Sequence, residues 1–214
     1  MHKTYAVFGL GRYGRAVATQ LEAQGAEVIA IDIDEVAVEE AAPFLTVCKC
    51  ADITDRKVIE QLGIANVDTV IIAMASNLEA SVMATMLCKE IGVPNVIAKC
   101  ANETHRKILS KVGADRVVFP EYESGIRLAK NLLSAGFTDM IELSGKISMV
   151  EMEMRPEWVG KSLSELNLRG KYSMNVVAIR KGSSVSTQII PSAPLEAEQT
   201  LIVIADTERL KKLK

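Results

Sequence analysis

The stretch that most constrains this chain is Tyr5-Ala-Val-Phe-Gly9-Leu-Gly11-Arg12-Tyr13-Gly14-Arg15. An apolar run from Tyr5 to Phe8 feeds a glycine-rich turn, after which Tyr13, Val17 and Leu21 recur four apart, the spacing of one helical face. Strand, Gly-x-Gly-x-x-Gly and helix in that order are the context of a dinucleotide-binding turn. Gly9 permits the tight turn, Gly11 lets the backbone approach a phosphate, and Gly14 lets the helix pack close to the strand. The helix N-terminus then turns unpaired N–H groups and the positive end of its dipole toward the anion. A second strand, Glu27 to Ile31, ends at Asp32, eighteen residues past Gly14. A carboxylate there accepts hydrogen bonds from ribose hydroxyls and disfavours a 2′-phosphate. Arg12 stands between the second and third glycines. It suits a phosphate, in particular that of a nucleoside triphosphate, or a neighbouring subunit; the alternative is a solvated first-turn residue.

Strand and helix keep alternating, as in a doubly wound parallel sheet. Asp34 caps a helix that Pro43 breaks, and Phe44 to Cys48 reads as the third strand. Asp52-Ile53-Thr54-Asp55 opens a helix that stops at Gly63. Thr69 to Met74 is a continuous apolar run, as in a central strand buried on both faces. Ala75-Ser76-Asn77 leads into a helix over Leu78 to Ile91, and a fifth strand, Asn95 to Ala98, is followed by Lys99. A helix over Asn102 to Val112 and a strand over Arg116 to Phe119 come next. Pro120 and Glu121 then open a helix to Ser134, with Ile126, Ala129, Leu132 and Leu133 inward. The expected class is therefore α/β: a Rossmann-like domain over 1–134, with Asp32, Asp52, Ser76, Lys99 and Glu121 along the edge where ligands bind. Gly136-Phe137-Thr138 breaks the last helix, and 135–142 reads as a crossover or hinge. A small α+β domain over 143–214 follows, with strands at Lys146–Met154, Met174–Ile179, Ser184–Ile189 and Leu201–Ala205. Ser162 and Glu165 have capping-box spacing on a short helix, and Asp206 caps a final basic one.

A formal charge of −2 opposes non-specific nucleic-acid binding, which needs a basic surface. No apolar run reaches the roughly 18 residues that span a bilayer, and no signal peptide opens the chain, so a cytosolic protein is expected. Cys48, Cys50, Cys88 and Cys100 lack metal-ligand spacing and read as reduced, mostly buried side chains. An NAD-dependent oxidoreductase needs a catalytic acid or base over the nicotinamide, yet no histidine lies beyond His105. A redox-sensing transcription factor needs a basic helix-turn-helix, which is not visible.

On these residues the whole chain resembles the RCK regulatory subunits of bacterial potassium-uptake systems, the KtrA/TrkA type. Gly9 to Gly14, Ile31-Asp32-Ile33-Asp34, Asn77-Leu-Glu-Ala-Ser81 and Gly113-Ala-Asp115-Arg116 through Pro120-Glu121 are similar to the N-lobe of that family. Gly160-Lys-Ser162, Leu166-Asn167 and Pro191-Ser-Ala-Pro194 resemble its C-lobe, which regulates and dimerises. The resemblance implies a non-enzymatic gating subunit. Its homodimers would assemble into an octameric ring, peripheral on the inner face of the membrane against a membrane-embedded potassium transporter subunit. ATP and ADP would compete for the N-lobe cleft and set the shape of the ring. By matching position, Arg12 meets the terminal phosphate, Asp32 the ribose, Lys99 the phosphates, and Asp52 and Ile53 the adenine. Gly9, Gly11, Tyr13, Gly14, Ile33, Asp34, Ser76 and Asn77 complete that site. Asp34 and Asp52 stand where relatives can carry Asn, which leaves NAD(H), the ligand of the TrkA branch, open. Glu121 falls at a dimer contact that can bind Mg²⁺ or Ca²⁺; its other reading is a helix first-turn carboxylate. In part of the family paired C-lobes bind cyclic di-AMP. Arg169 would meet a phosphate, Asn175 and Val176 an adenine edge, and Ile190 and Pro191 an apolar wall. Alternatively these are a solvated loop cation, a strand start and a strand end.

Overall fold

A computed structural model describes residues 3–133 and 137–211 of the chain. They divide into two compact units, residues 1–120 and 121–214. The first unit alternates strand and helix throughout: β1 (Thr4–Phe8), α1 (Arg12–Ala23), β2 (Glu27–Asp32), α2 (Glu35–Ala41), β3 (Val47–Cys50), α3 (Arg56–Gln61), β4 (Thr69–Ile72), α4 (Leu78–Glu90), β5 (Asn95–Lys99), α5 (Glu103–Lys111) and β6 (Arg116–Val118). All six strands run parallel in the order β3-β2-β1-β4-β5-β6. The chain winds outward from β1 to β3, then returns to the other side of β1 as β4. The strand order therefore reverses between β1 and β4, and a crevice opens there outside the carboxyl ends.

Side-chain alternation explains the two apolar layers. Phe8, Ile31 and Ile72 join one buried cluster, while their neighbours Val7, Ala30 and Ile71 join the other. Every residue of β4 is buried, as a strand covered on both faces requires. Asp34 caps its helix as expected, and Asp55, Asn77 and Asn102 do the same for theirs: each accepts a backbone N–H two or three residues on. Asp115, in the Gly113-Ala-Asp115-Arg116 motif, accepts the Val96 N–H at 2.7 Å and pairs with Lys89 at 2.9 Å. Desolvation opposes its charge, but those two partners hold its carboxyl below the ordinary range.

The third strand begins later than the expected Phe44. Residues Ala42–Phe44 form a short 3-10 turn with Pro43 near its start, and pairing with β2 begins only at Val47. A larger correction concerns α6 (Pro120–Leu133). Ile126, Ala129 and Leu132, expected inward, are all exposed, as are Tyr122 and Leu128. The helical spacing of that apolar stripe is real, yet nothing among the described residues covers it.

The second unit continues with β7 (Phe137–Ser144), β8 (Ile147–Glu153), α7 (Leu163–Leu166), α8 (Leu168–Tyr172), β9 (Asn175–Lys181), β10 (Ser184–Ser186), β11 (Gln199–Asp206) and α9 (Thr207–Lys211). Its sheet is antiparallel in the order β10-β9-β11-β8-β7. Val150, Met152, Trp158, Leu168, Leu201 and Val203 lead its core. The capping box is present: Ser162 N–H donates to Glu165 Oε2 at 2.7 Å, and the Glu165 N–H returns to Ser162 Oγ. Asp206 caps α9 through the Glu208 N–H at 2.9 Å. Of the expected hinge, residues 135 and 136 lie outside the described residues, together with the expected helix end at Ser134 and the glycine of Gly136-Phe137-Thr138. Residues 137–142 belong to β7, which pairs with β8. Helix α8 carries no signal in the sequence because Asn167, at φ 46°, ends one helix and starts the next without a linker. β10 stops at Ser186 rather than Ile189; the Ser186 hydroxyl accepts the Gln188 N–H and turns the chain out of the ladder.

Candidate functional site

The glycine turn at the end of β1 is fixed from three sides. Gly9 donates its N–H to the Ile31 carbonyl at 2.8 Å and holds φ at +91°, a conformation that glycine alone adopts freely. Gly14 lies so close beneath the turn that a Cβ there would sit 1.8 Å from the Gly9 carbonyl oxygen and 2.9 Å from Ala73 Cβ. Gly11 differs: a Cβ there would meet nothing within 4 Å. Its absence of a side chain serves no packing within the chain. It leaves room above the start of α1, where Gly11 supplies no side-chain cap and the first backbone N–H groups have no partner within the helix. That is the geometry of an anion cradle.

Asp32 ties the turn to the neighbouring strand. One carboxylate oxygen accepts the Leu10 N–H at 2.6 Å and the other the Asp34 N–H at 2.9 Å. An ionised carboxylate has about four acceptor sites, so roughly two remain for ribose hydroxyls. Across the crevice, the Lys99 ammonium lies 5.3 Å from the centre of the Tyr13 ring. This cation–π contact joins the end of β5 to the first turn of α1 and holds a positive charge near the helix start. Arg12 is exposed, and no ion pair or hydrogen bond engages its guanidinium among the described residues. The site thus combines a bare helix start, two cations and a pinned carboxylate with acceptor capacity to spare. These residues fit a phosphate-bearing nucleoside.

The remaining predicted contacts are more mixed. Asp52 accepts both the hydroxyl (2.7 Å) and the N–H (2.9 Å) of Thr54 through a single oxygen. The Thr54 hydroxyl, then its N–H, holds the Asp52 carboxyl below the ordinary range. Ile53 packs its side chain in the core at 4% exposure, so its backbone alone is left for a ring to rest on. Ile33 is 68% exposed at the end of β2. Asp34 is engaged as the cap of α2, with Val36 N–H at 3.0 Å, and Asn77 as the cap of α4, with Ala80 N–H at 3.0 Å. Ser76 is exposed in the loop before Asn77. Val118, Cys100 and Ala98 back the β5 end from the core.

Glu121 occupies the first turn of α6, in the second unit. Among the described residues no group of three or more His, Cys, Asp or Glu side chains gathers to hold a metal. Arg169 is exposed on α8, Asn175 and Val176 open β9, and Ile190 is exposed beside Pro191. The Pro191 carbonyl accepts from both the N–H and the hydroxyl of Ser164, which fastens that loop to α7. None of the four cysteines is in a disulfide; Cys88 and Cys100 are buried, Cys48 is half-buried and Cys50 is exposed. Burial pushes the Cys88 thiol up to about 12, which makes it inert.

One polar pair gives no sign of itself in the sequence. His105 and Ser81 are both buried, with Nε2 2.8 Å from the serine Oγ. A nucleophilic serine gives its proton to the imidazole. This serine donates instead to the Leu78 carbonyl at 2.9 Å, so the imidazole donates to it and the pair is not arranged as a nucleophile and base. The Tyr13–Lys99 contact and the Asp32–Leu10 bond were equally hidden, because both join residues whose proximity only the fold creates.

Comparison with known proteins adds to this geometry. The TrkA-N domain model matches residues 5–120 and the TrkA-C domain model residues 149–214. The chain is 39% identical over 215 residues to the Ktr system potassium uptake protein C of Bacillus subtilis, covering 99% of this chain and 97% of that protein. It is 33% identical over 211 residues to the Ktr system potassium uptake protein A of the same organism, covering 99% and 95%. Among solved structures it resembles the GsuK channel with a TM-score of 0.70 at 16% identity, over all of this chain and 39% of that one. A second structure, the GsuK channel bound to NAD, gives a TM-score of 0.66 at 16% identity over 98% and 38%. At such identities the likeness is one of fold. No helix among the described residues is long and apolar enough to cross a membrane.

Proposed function

This chain belongs to the TrkA-N and TrkA-C family that includes the Ktr potassium-uptake proteins, and from that premise we propose that it is the nucleotide-sensing regulatory subunit of a potassium-uptake system. The observation that carries this reading is the crevice at the β1–β4 switch, where Asp32, the uncapped start of α1, Arg12 and Lys99 suit the ribose and phosphates of one adenine nucleotide. The partner is a membrane-embedded potassium transporter subunit, which this chain meets from the cytoplasmic face as a ring of homodimers. The open apolar stripe on α6 is in keeping with assembly between copies.

A ligand shifts a ring between shapes only if it binds those shapes differently. ATP and ADP differ by one phosphate, so the sensing contact must reach that phosphate, and Arg12 is the unengaged cation nearest in sequence to the turn. Calorimetry on the full-length protein with ATP, ADP, NADH and NAD tests the reading. Saturable binding of ATP and ADP supports it, tighter binding of NADH moves the protein to an NAD(H) sensor, and no heat with any of the four overturns it. Arg12→Ala should weaken ATP at least about tenfold more than ADP, the scale of one charged hydrogen bond. Equal weakening of both would place Arg12 away from the terminal phosphate.

Two further ligands belong to the second unit. We assign Glu121 a divalent cation shared with nucleotide phosphates or a second Glu121, since oxygen donors suit Mg²⁺ or Ca²⁺. Glu121→Gln should then abolish any added thermal stabilisation by Mg²⁺ in the presence of ATP; an unchanged shift leaves the carboxylate a helix-end charge. Arg169, Asn175, Val176, Ile190 and Pro191 are offered as a cyclic di-AMP site on a two-fold axis, where each subunit supplies the same contacts. One molecule should bind per dimer, unaffected by Asp32→Ala. Absence of both heat and thermal shift would remove that site.

A further inference from the structure

Between α4 and α5, a series of buried hydrogen bonds joins the loop after β5 to the first turn of α4, and its middle member is an imidazole. Ala101 donates its N–H to His105 Nδ1 at 3.3 Å, so Nδ1 carries no proton and the neutral ring keeps its proton on Nε2. Nε2 lies 2.8 Å from Ser81 Oγ, and that hydroxyl spends its own proton on the Leu78 carbonyl. Ala101 N–H, His105 Nε2–H and Ser81 O–H therefore all point the same way, and bonds aligned in this manner polarise one another. One end of the series lies in the loop just past Lys99; the other lies in the first turn of α4, just past Ser76 and Asn77. His105 is 3% exposed and Ser81 is fully buried. Burial alone lowers the pKa of the imidazole: no charged side chain on α4, α5 or the preceding loop acts on it.

We propose that His105 is a positioning residue for the nucleotide crevice: the neutral ring ties the loop after Lys99 to the first turn of α4, next to Ser76 and Asn77, and a proton taken up on Nδ1 unties them and weakens nucleotide binding. The proposal rests on the nucleotide reading of the crevice given above. Its physical basis is donor against donor. A protonated Nδ1 faces the Ala101 N–H with no lone pair, which breaks the series and leaves a charge in a dry space. Lys99 and Asn77 then lose the cross-link that sets their loops at one separation. Linkage makes the effect reciprocal, so a nucleotide that prefers the tied loops must lower the proton affinity of His105.

The experiment has two arms on the full-length protein. In the first, the ring of His105 is titrated by NMR in the wild type with and without saturating ATP. In the second, ATP affinity is measured by calorimetry at pH 7.5 and pH 5.5 for the wild type and His105→Gln. The ratio of the two proteins cancels the protonation of ATP itself. ATP should lower the His105 midpoint, and the wild type should lose at least about fivefold more affinity than the variant between the two pH values. An unchanged midpoint, or the same pH dependence in both proteins, overturns the proposal. If His105→Gln does not fold, the NMR arm decides with wild type alone. A wild type that takes up no ATP at pH 7.5 overturns the nucleotide reading and the proposal with it.

Discussion

Replacing Gly14 by alanine should destabilise the first unit by about 3 kcal/mol or more, lowering its thermal midpoint by roughly 10 °C. The added Cβ would stand 1.8 Å from the Gly9 carbonyl oxygen, a backbone atom that no rotamer change can move aside. Relief requires α1 to lift from β1, which uncovers Ala18 and the apolar layer formed by Val7, Leu10 and Ile71. Gly11→Ala makes the sharp comparison. At φ −61° and ψ −177°, with nothing within 4 Å of the new Cβ, it should keep stability to within about 1 kcal/mol. The same methyl group would occupy the space above the helix start, so ATP affinity should fall at least about tenfold. Thermal melts and calorimetry on the two variants separate the roles. If both lose stability equally, or if Gly11→Ala binds ATP as the wild type does, the division between a packing glycine and a phosphate glycine fails.

Asp32→Ala should cost every adenosine-bearing ligand about ten- to a hundredfold in affinity, corresponding to roughly 1.5–3 kcal/mol for a charged hydrogen-bond acceptor. Two losses add. The ribose forfeits its acceptor, and the glycine turn forfeits the bond from Leu10 N–H that ties it to β2. Asp32→Asn distinguishes them, because its amide oxygen can still take the Leu10 N–H while its charge is gone. ATP, ADP and NADH should all weaken in Asp32→Ala, with Asp32→Asn intermediate. Unchanged affinity for any one of them would put the ribose elsewhere for that ligand.

What the sequence disclosed and what it withheld follow a physical line. The alternation of strands and helices, the glycine turn, the cap at Asp34 and the Ser162–Glu165 capping box were legible because each is a local pattern, decided by neighbours within four residues. The placement of Asp32 and Lys99 at strand ends was legible for a related reason: a parallel sheet puts all its carboxyl ends on one edge. Contacts between distant segments were not. Nothing in the spacing of Tyr13 and Lys99, or of Ser81 and His105, announces that they meet. The inward reading of α6 failed in a different way. Periodicity shows that a helix has an apolar face, but not whether its own chain covers that face, and Leu132 is 78% exposed. The burial of the Ile53 side chain in the core was equally out of reach, since it depends on segments distant in the sequence.

Nucleotide bound at the Asp32 crevice is expected to govern potassium flux. Potassium uptake into vesicles carrying the membrane-embedded partner, with this protein added and either ATP or ADP present at saturation, tests it most directly. Flux should differ between the two nucleotides, and Asp32→Ala, still folded and still bound to the vesicles, should abolish the difference. Flux that is the same with ATP and ADP for the wild-type protein, despite measured binding of both, would contradict it.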